Sequence, residues 1–245
     1  MRIRSLLAAL VGITVLVALV VLVAGQLPGP RGPGTPVDRD SPPPATAPLA
    51  AGTDPASWAG ETARGTGIPE RTLQAYANAE LKQRERTPEC GLSWSTLAGI
   101  GRVESRHARI DGADPGTDGR VEPPIVGIPL DGSNGTRRVA DTDGGRLDGD
   151  PVLDRAVGPM QFLPETWARY GTDGGGDGVA DPQQVDDAAL AAAGLLCAGE
   201  RDVTDGDDWW DGVLGYNASG SYAREVWSAA ADYAQRTPEP GPQRR

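Results

Sequence analysis

The chain has 245 residues, with 34 Asp and Glu against 23 Lys and Arg, a net charge of −11 and a pI near 4.6. It has no Lys/Arg cluster and one lysine, Lys82, which argues against nucleic acid as a partner, because such binding depends on cations that neutralise phosphates. Two cysteines and one histidine cannot build an ordinary zinc site without several carboxylates, and an acidic surface leaves stacking and hydrogen bonds as the means of holding an anionic polymer.

The first element is an apolar run, Leu6 to Ala24, close to the ~20 residues a helix needs to cross a bilayer. Arg2 and Arg4 precede it and no basic residue follows until Arg31, so the charge bias leaves the N-terminus in the cytoplasm and exports the rest. Residues 1–25 therefore read as a transmembrane anchor, which would hold the protein at the cell membrane. Small residues around Val23 and Gly25 keep a cleaved signal peptide, and hence secretion, as the alternative. Residues 26–57 are rich in Pro, Gly, Ala and Thr and nearly free of large apolar side chains. Such a segment cannot offset its ordering entropy, so a disordered, stiff linker is expected, with a reach on the order of 100 Å at ~3.1 Å per residue. Residues 58–236 are the length of one domain, and 237–245 a flexible tail. Cys90 and Cys197 both lie in the exported part. They form either a disulfide closing a loop of about 108 residues or a pair of buried thiols.

Within the domain the periodicity is helical. Pro69 opens a helix carrying Leu73, Tyr76, Ala77 and Leu81 at helical spacing, and Pro88 ends it. A second, from Ser93 or Ser95, carries Leu97, Ile100 and Val103 inward and reaches Glu104. A third starts at Pro164. Asp186 and Asp187 cap the alanine-rich run from Ala188, and a last helix from about Ser221 to Arg236 aligns Tyr222, Val226, Ala230 and Tyr233 on one stripe. No stretch alternates with period two, so the fold class is mostly α. The Gly-, Asp- and Pro-rich stretch from Ile110 to Arg155 is expected to be either a flap near a groove or a disordered insertion.

Glu104 lies four residues after Ile100 and seven after Leu97, on the apolar face of its helix. Burial disfavours a carboxylate, so this group should stay protonated near neutrality and be able to donate a proton. From the helix alone the ordinary reading is a partly exposed Glu near a helix C-terminus, and the other motifs are what favour the acid. Gly158-Pro159-Met160-Gln161-Phe162 joins a permissive Gly and a rigid Pro to a Gln that can donate to and accept from a sugar. In Tyr216-Asn217, the tyrosine hydroxyl is expected to reach the carboxyl group and the Asn amide to hold the backbone. The adjacent Trp209 and Trp210 cannot both face one core, which offers one of them for stacking on a sugar ring. His107 has no nucleophile elbow and is expected only to end the helix.

With Gly101-Arg102-Val103-Glu104-Ser105, Ala156 to Pro164 and Gly215-Tyr216-Asn217 in this order, the chain resembles the lytic murein transglycosylases of the membrane-bound B type, within the lysozyme-like superfamily. The resemblance covers roughly residues 67–235. It implies a lysozyme-like domain with long irregular loops that acts on peptidoglycan strands, cleaving the β-1,4 bond between N-acetylmuramic acid and N-acetylglucosamine and leaving a 1,6-anhydro end. Glu104 would act as acid and then base. Gln161, Tyr216, Met160 and Phe162 would contact substrate or orient the acid, with Ser105 and Asn217 as secondary candidates. No cofactor is required. A structural calcium is implied by relatives that carry a calcium loop here: Asp173, Asp177, Val179 and Asp181 follow part of an EF-hand pattern and Asp186 or Asp187 would complete the shell, although Gly175 and Gln184 stand where ligands are expected. The same segment reads equally as an Asx/Gly turn, and Asp141 to Gly145 has a similar look. A lysozyme-like hydrolase with a second carboxylate and a silent wall-binding module are the competing functions.

Overall fold

The computed structural model describes residues 39, 41–44, 46–133 and 136–236. The apolar run, the first part of the linker and the tail at 237–245 lie outside the described residues. Among those described, no helix is long and apolar enough to cross a membrane. Seven α-helices occur in this region: α1 (Pro55–Thr66), α2 (Glu70–Arg86), α3 (Trp94–Ser105), α4 (Pro164–Tyr170), α5 (Val185–Leu196), α6 (Gly206–Tyr216) and α7 (Gly220–Arg236). The only strands described are β1 (Asp114–Pro115) and β2 (Val121–Glu122), paired antiparallel with Asp114 opposite Glu122.

The alanine-rich α5 is buried along nearly its whole length and packs against α2, α4 and α6. A helix apolar all round is stable only when surrounded, and alanines let the neighbours come close. Its start departs from the expected cap. Gln184 is the N-cap, its side-chain oxygen accepting from the Asp186 amide at 2.6 Å, while Asp186 and Asp187 sit in the first turn and turn their carboxylates to other partners. α3 lies against α7 at very short range. A Cβ on Gly99 would sit 2.7 Å from the Val226 carbonyl oxygen, so this crossing requires glycine. The close approach fully buries Leu97 and Ile100, each worth about 1.5–3 kcal/mol of transfer free energy.

The segment expected to be linker up to residue 57 is in part folded onto the domain. Asp54 caps α1, its carboxylate accepting from the Ser57 amide at 3.0 Å, and Pro55 occupies the first turn. Upstream, Ser41 and Pro42 carbonyls accept from the indole N–H groups of Trp210 (3.1 Å) and Trp227 (2.7 Å). The Leu49 amide donates to the buried Glu80 carboxylate at 2.7 Å, and Arg84 donates to the Leu49 carbonyl at 2.7 Å. A proline-rich segment with few apolar side chains is held here by its backbone carbonyls and the Leu49 amide, which composition does not reveal. The same contacts correct the expectation for the tryptophan pair: Trp209 and Trp210 are both buried, because Trp209 reaches Thr96 of α3 (3.1 Å) and Trp210 lies under the N-terminal segment.

Between α3 and α4 the described part of the long loop is an ordered meander. Isolated bridges join Val126 to Val157 and Ala140 to Leu153. Its turns are closed by aspartates: Asp141 accepts from the amides of Asp143, Gly144 and Gly145, Asp143 from Arg146 and Leu147, Asp148 from Asp150 and Arg155, and Asp150 from Val152 and Leu153. Short acidic side chains here supply the hydrogen bonds that a regular ladder would otherwise provide.

Cys90 and Cys197 form a disulfide with a sequence separation of 107, joining the turn before α3 to the end of α5. Of the two alternatives left open by the sequence, the bridge is the one the structure contains. Closing so long a loop removes unfolded-state entropy. A Cys90→Ala/Cys197→Ala double variant should lose about 2–5 kcal/mol of unfolding free energy, measured by urea titration against the oxidised protein.

Candidate active site

Glu104 is in the last turn of α3, half-buried at the end of the stripe formed by Leu97 and Ile100. Burial pushes its carboxyl up to about 7, opposed by a 2.6 Å hydrogen bond from the Tyr222 hydroxyl that favours the charged form. The negative end of the helix dipole acts in the same direction as burial. Among the described residues, burial and this hydrogen bond are the causes of the shift. Arg102, two residues away, turns instead to Asp232 at 3.0 Å and to the face of Tyr233. A carboxyl group of this kind is divided between acid and base near neutral pH, as a group that must first give and then take a proton requires.

The backbone beyond Glu104 makes a left-handed turn, with φ of 53°, 64° and 66° at Arg106, His107 and Ala108. Such angles cost roughly 1–2 kcal/mol per residue for side-chain-bearing residues, so the turn must be held from outside. His107 ends the helix as expected and also holds this turn. Its ring nitrogens lie 3.2 Å from the Tyr76 hydroxyl and 2.7 Å from the Tyr233 hydroxyl, and Thr72 donates to its carbonyl at 3.3 Å. Burial, assisted by Arg102 and Arg109, lowers its pKa to about 3, so it is a neutral bolt between α2 and α7 and carries no charge at neutral pH.

Ser105 joins this turn to the second motif. Its hydroxyl donates to the Pro159 carbonyl at 2.6 Å and accepts from the Ala108 amide at 2.8 Å. The motif is a tight loop closed by reciprocal bonds between Val157 and Phe162 at 2.8 and 2.9 Å. Gly158, at φ 77°, lies so close to Pro182 that a Cβ would stand 1.8 Å from its carbonyl oxygen. Gln161 is half-exposed in a left-handed conformation, φ 48°, and donates to the Gly158 carbonyl at 2.9 Å.

The expected roles are redistributed among the tyrosines. Tyr216 does not touch the carboxyl group; it donates to the Met160 carbonyl at 2.6 Å and so holds the motif loop from the other side. Tyr222 makes the contact expected of Tyr216. The two rings stack with centroids 6.5 Å apart and planes 8° from parallel. The sequence pattern sets Tyr222 on the core stripe of the last helix, and its short spacing from Tyr216 is the one local signal that it belongs to the site. Met160 and Phe162 are buried beneath the site, the Phe162 ring against Trp167 and Tyr216, so they support it and do not line it. Asn217 is exposed at the end of α6, and its side chain accepts from the Ser219 amide at 3.2 Å, shaping the turn between the two tyrosines.

The residues expected to hold calcium have the following partners. Asp173 accepts from the amides of Gly176 and Gly178, and Asp177 from Val179 at 2.8 Å. Asp181 pairs with Arg120, and Asp186 with Arg71, so guanidinium groups already balance two of the carboxylates. Asp187, the alternative to Asp186 for completing the shell, closes the loop by accepting from Gly174 (2.7 Å), Gly175 (2.9 Å) and Asp181 (2.9 Å). Among the described residues, the acidic side chains that bring three potential ligand atoms within 4.8 Å of one another are Asp141, Asp143 and Asp154. Asp141, Asp143 and Asp154 all accept hydrogen bonds from backbone amides.

No family model and no curated protein matches the chain. Two solved structures of the Escherichia coli lytic transglycosylase Slt35 are similar to it at 14% identity and a TM-score of 0.40. The one in complex with bulgecin A covers 75% of this chain and 80% of its own, and the one in complex with calcium 76% and 81%.

Because the Tyr222 hydrogen bond favours the Glu104 carboxylate, Tyr222→Phe should raise the Glu104 pKa further, by about one unit for a charge-assisted bond. A titration of Glu104 by NMR in both proteins checks the sign. Gly158→Ala should lower the thermal midpoint by several degrees, since neither the backbone angle nor the Pro182 contact admits a side chain.

Proposed function

We propose that the chain is a peptidoglycan lytic transglycosylase that cleaves the β-1,4 bond between N-acetylmuramic acid and N-acetylglucosamine and forms a 1,6-anhydromuramic end. The observation that carries this reading is the Glu104 carboxyl group, half-buried, raised to about 7 and bonded to Tyr222.

In the first step Glu104 gives its proton to the glycosidic oxygen as the bond to the anomeric carbon breaks, and the sugar's own N-acetyl oxygen stabilises the positive carbon. In the second, the Glu104 carboxylate takes the proton from the C6 hydroxyl as that oxygen bonds the anomeric carbon, which restores the acid. Tyr222 donates to the carboxylate formed between the steps and so limits its energy. Gln161, half-exposed on the motif loop, orients the strand. Water is not a reactant, so no second carboxylate has to position it, unlike in most glycosidases. The reaction needs no cofactor. In this reading residues 1–25 anchor the enzyme to the membrane with its domain outside the cytoplasm, or are removed on secretion.

Mass spectrometry of digested sacculi tests the chemistry: anhydromuramic ends are expected, and reducing ends alone would assign a lysozyme-like hydrolase instead. Glu104→Gln should lower the rate by at least about 10²–10⁴-fold; full activity in that variant, or strand binding without cleavage by the wild type, would overturn the assignment. Since the first step needs the protonated acid, kcat/KM should fall as pH rises through about 7. A rate that stays level to pH 9 would show that Glu104 is not the proton donor.

A further inference from the structure

We propose that His107 is a positioning residue for Glu104: by joining the turn after the acid to Tyr233, it sets where α7 lies and so the reach of the Tyr222 hydroxyl to the carboxyl group. Its meaning for the reaction rests on the reading of Glu104 as the proton donor.

The turn is built to present this ring. Arg106, His107 and Ala108 are consecutive residues with left-handed backbone, which residues carrying a side chain adopt singly and not in runs. The run brings His107 back alongside the helix it has just left. Its amide donates to the Gly101 carbonyl at 2.8 Å, and the Ala108 amide donates to the Ser105 hydroxyl at 2.8 Å. Gly101 also makes room for the ring's partner. A Cβ there would stand 1.9 Å from the Tyr76 hydroxyl and 3.5 Å from His107 Nδ1, so only glycine lets that hydroxyl reach the ring. The glycine three residues before the acid is thereby explained by the histidine three residues after it.

Both contacts to this segment come from α7. Tyr222 and Tyr233 are eleven residues apart, about three helical turns, so they share one face of the helix. That face is tied at two points: the Tyr222 hydroxyl lies 2.6 Å from Glu104 Oε1, and the Tyr233 hydroxyl 2.7 Å from His107 Nε2. Between them along α7 is the close crossing of Val226 with Gly99 of α3. A helix that pivots about one close crossing moves most at its ends, and the Tyr233 tie limits that pivot. The Tyr222 bond is sensitive to it, because a charge-assisted bond depends on both its length and its angle.

The tie itself carries no charge. The ionisable groups facing the His107 ring are Tyr76 from α2, Tyr233 from α7, Arg102 from α3 and Arg109 from the loop that follows; burial and the two arginines keep the ring neutral at pH 7. Among the described residues, those facing Glu104 are Tyr222 and Tyr216. A neutral tie holds the geometry without adding a cation that would draw the proton off the acid.

Titration of Glu104 by NMR in the full-length protein reads the tie without any substrate. Tyr233→Phe keeps the ring beneath Arg102 and removes the hydroxyl; it should raise the Glu104 pKa by about half a unit to one unit, up to the value of the whole Tyr222 bond. In a Tyr222→Phe background the same substitution should add no further rise, because the contact it acts through is already gone. Tyr76→Phe cuts the ring from α2 and leaves its bond to α7, so it should shift the pKa less than Tyr233→Phe does. Equal shifts in those two variants, additive shifts in the double variant, or a fall in the pKa, as water entering a loosened turn would cause, overturns the positioning role. The alkaline limb of kcat/KM on glycan strands should move with the NMR value. A limb that stays in place while the NMR value moves removes Glu104 from the proton-donating step and leaves the tie standing.

Discussion

The hydroxyl group of Ser105 is the contact on which the site depends. It donates to the Pro159 carbonyl and accepts from the Ala108 amide, and so ties the end of the acid-bearing helix to the Gly158 loop and to the left-handed turn in one step. Every other feature of the site is attached to one of those three pieces. Tyr216 holds the far side of the same loop through Met160, and His107 holds the turn between two tyrosines. A hydroxyl that donates and accepts at once is fully satisfied when buried, and this allows a polar group to serve as a hinge point in an otherwise apolar interior.

The chemistry of Glu104 is a balance between two opposed effects of similar origin. Burial beside Leu97 and Ile100 keeps the proton on, and the Tyr222 hydroxyl stabilises the charge once the proton leaves. Without burial the group would ionise like an ordinary surface glutamate, and without the tyrosine a carboxylate formed in that setting would be poorly supported. The aromatic stack behind Tyr222 has a second effect. It fixes the hydroxyl at hydrogen-bond distance without bringing in a charge, so the pKa can remain near neutrality and is not drawn down by a cation.

Acidic side chains elsewhere do structural work of a different kind. In the 110–155 segment and around Asp173 and Asp187, carboxylates accept backbone amides and replace the ladders that a short, glycine-rich chain cannot make. This explains a composition that resembles a metal loop. Aspartate and glycine are favoured in both settings, because both need oxygen acceptors on tight turns, and the difference lies in where the lone pairs point. In the Asp173 loop they point to backbone N–H groups and to the guanidinium groups of Arg71 and Arg120.

The amino-acid sequence by itself determined the helical character, the starts of α2, α3 and α4 at Pro and Ser signals, the inward face that carries Glu104, and the order of the three motifs, since all of these follow from local periodicity and turn chemistry. It overlooked α1, whose Asp54-Pro55 start is embedded in a proline-rich composition, and it set Tyr216, not Tyr222, at the carboxyl group. Both are tyrosines near the ends of successive helices, and nothing local states which hydroxyl turns to the carboxyl group. Only the tertiary structure decided that, along with the burial of Met160, Phe162 and both neighbouring tryptophans. These are matters of which surfaces meet across distances of tens to more than a hundred residues, and periodicity within a segment records which face is apolar without recording what covers it.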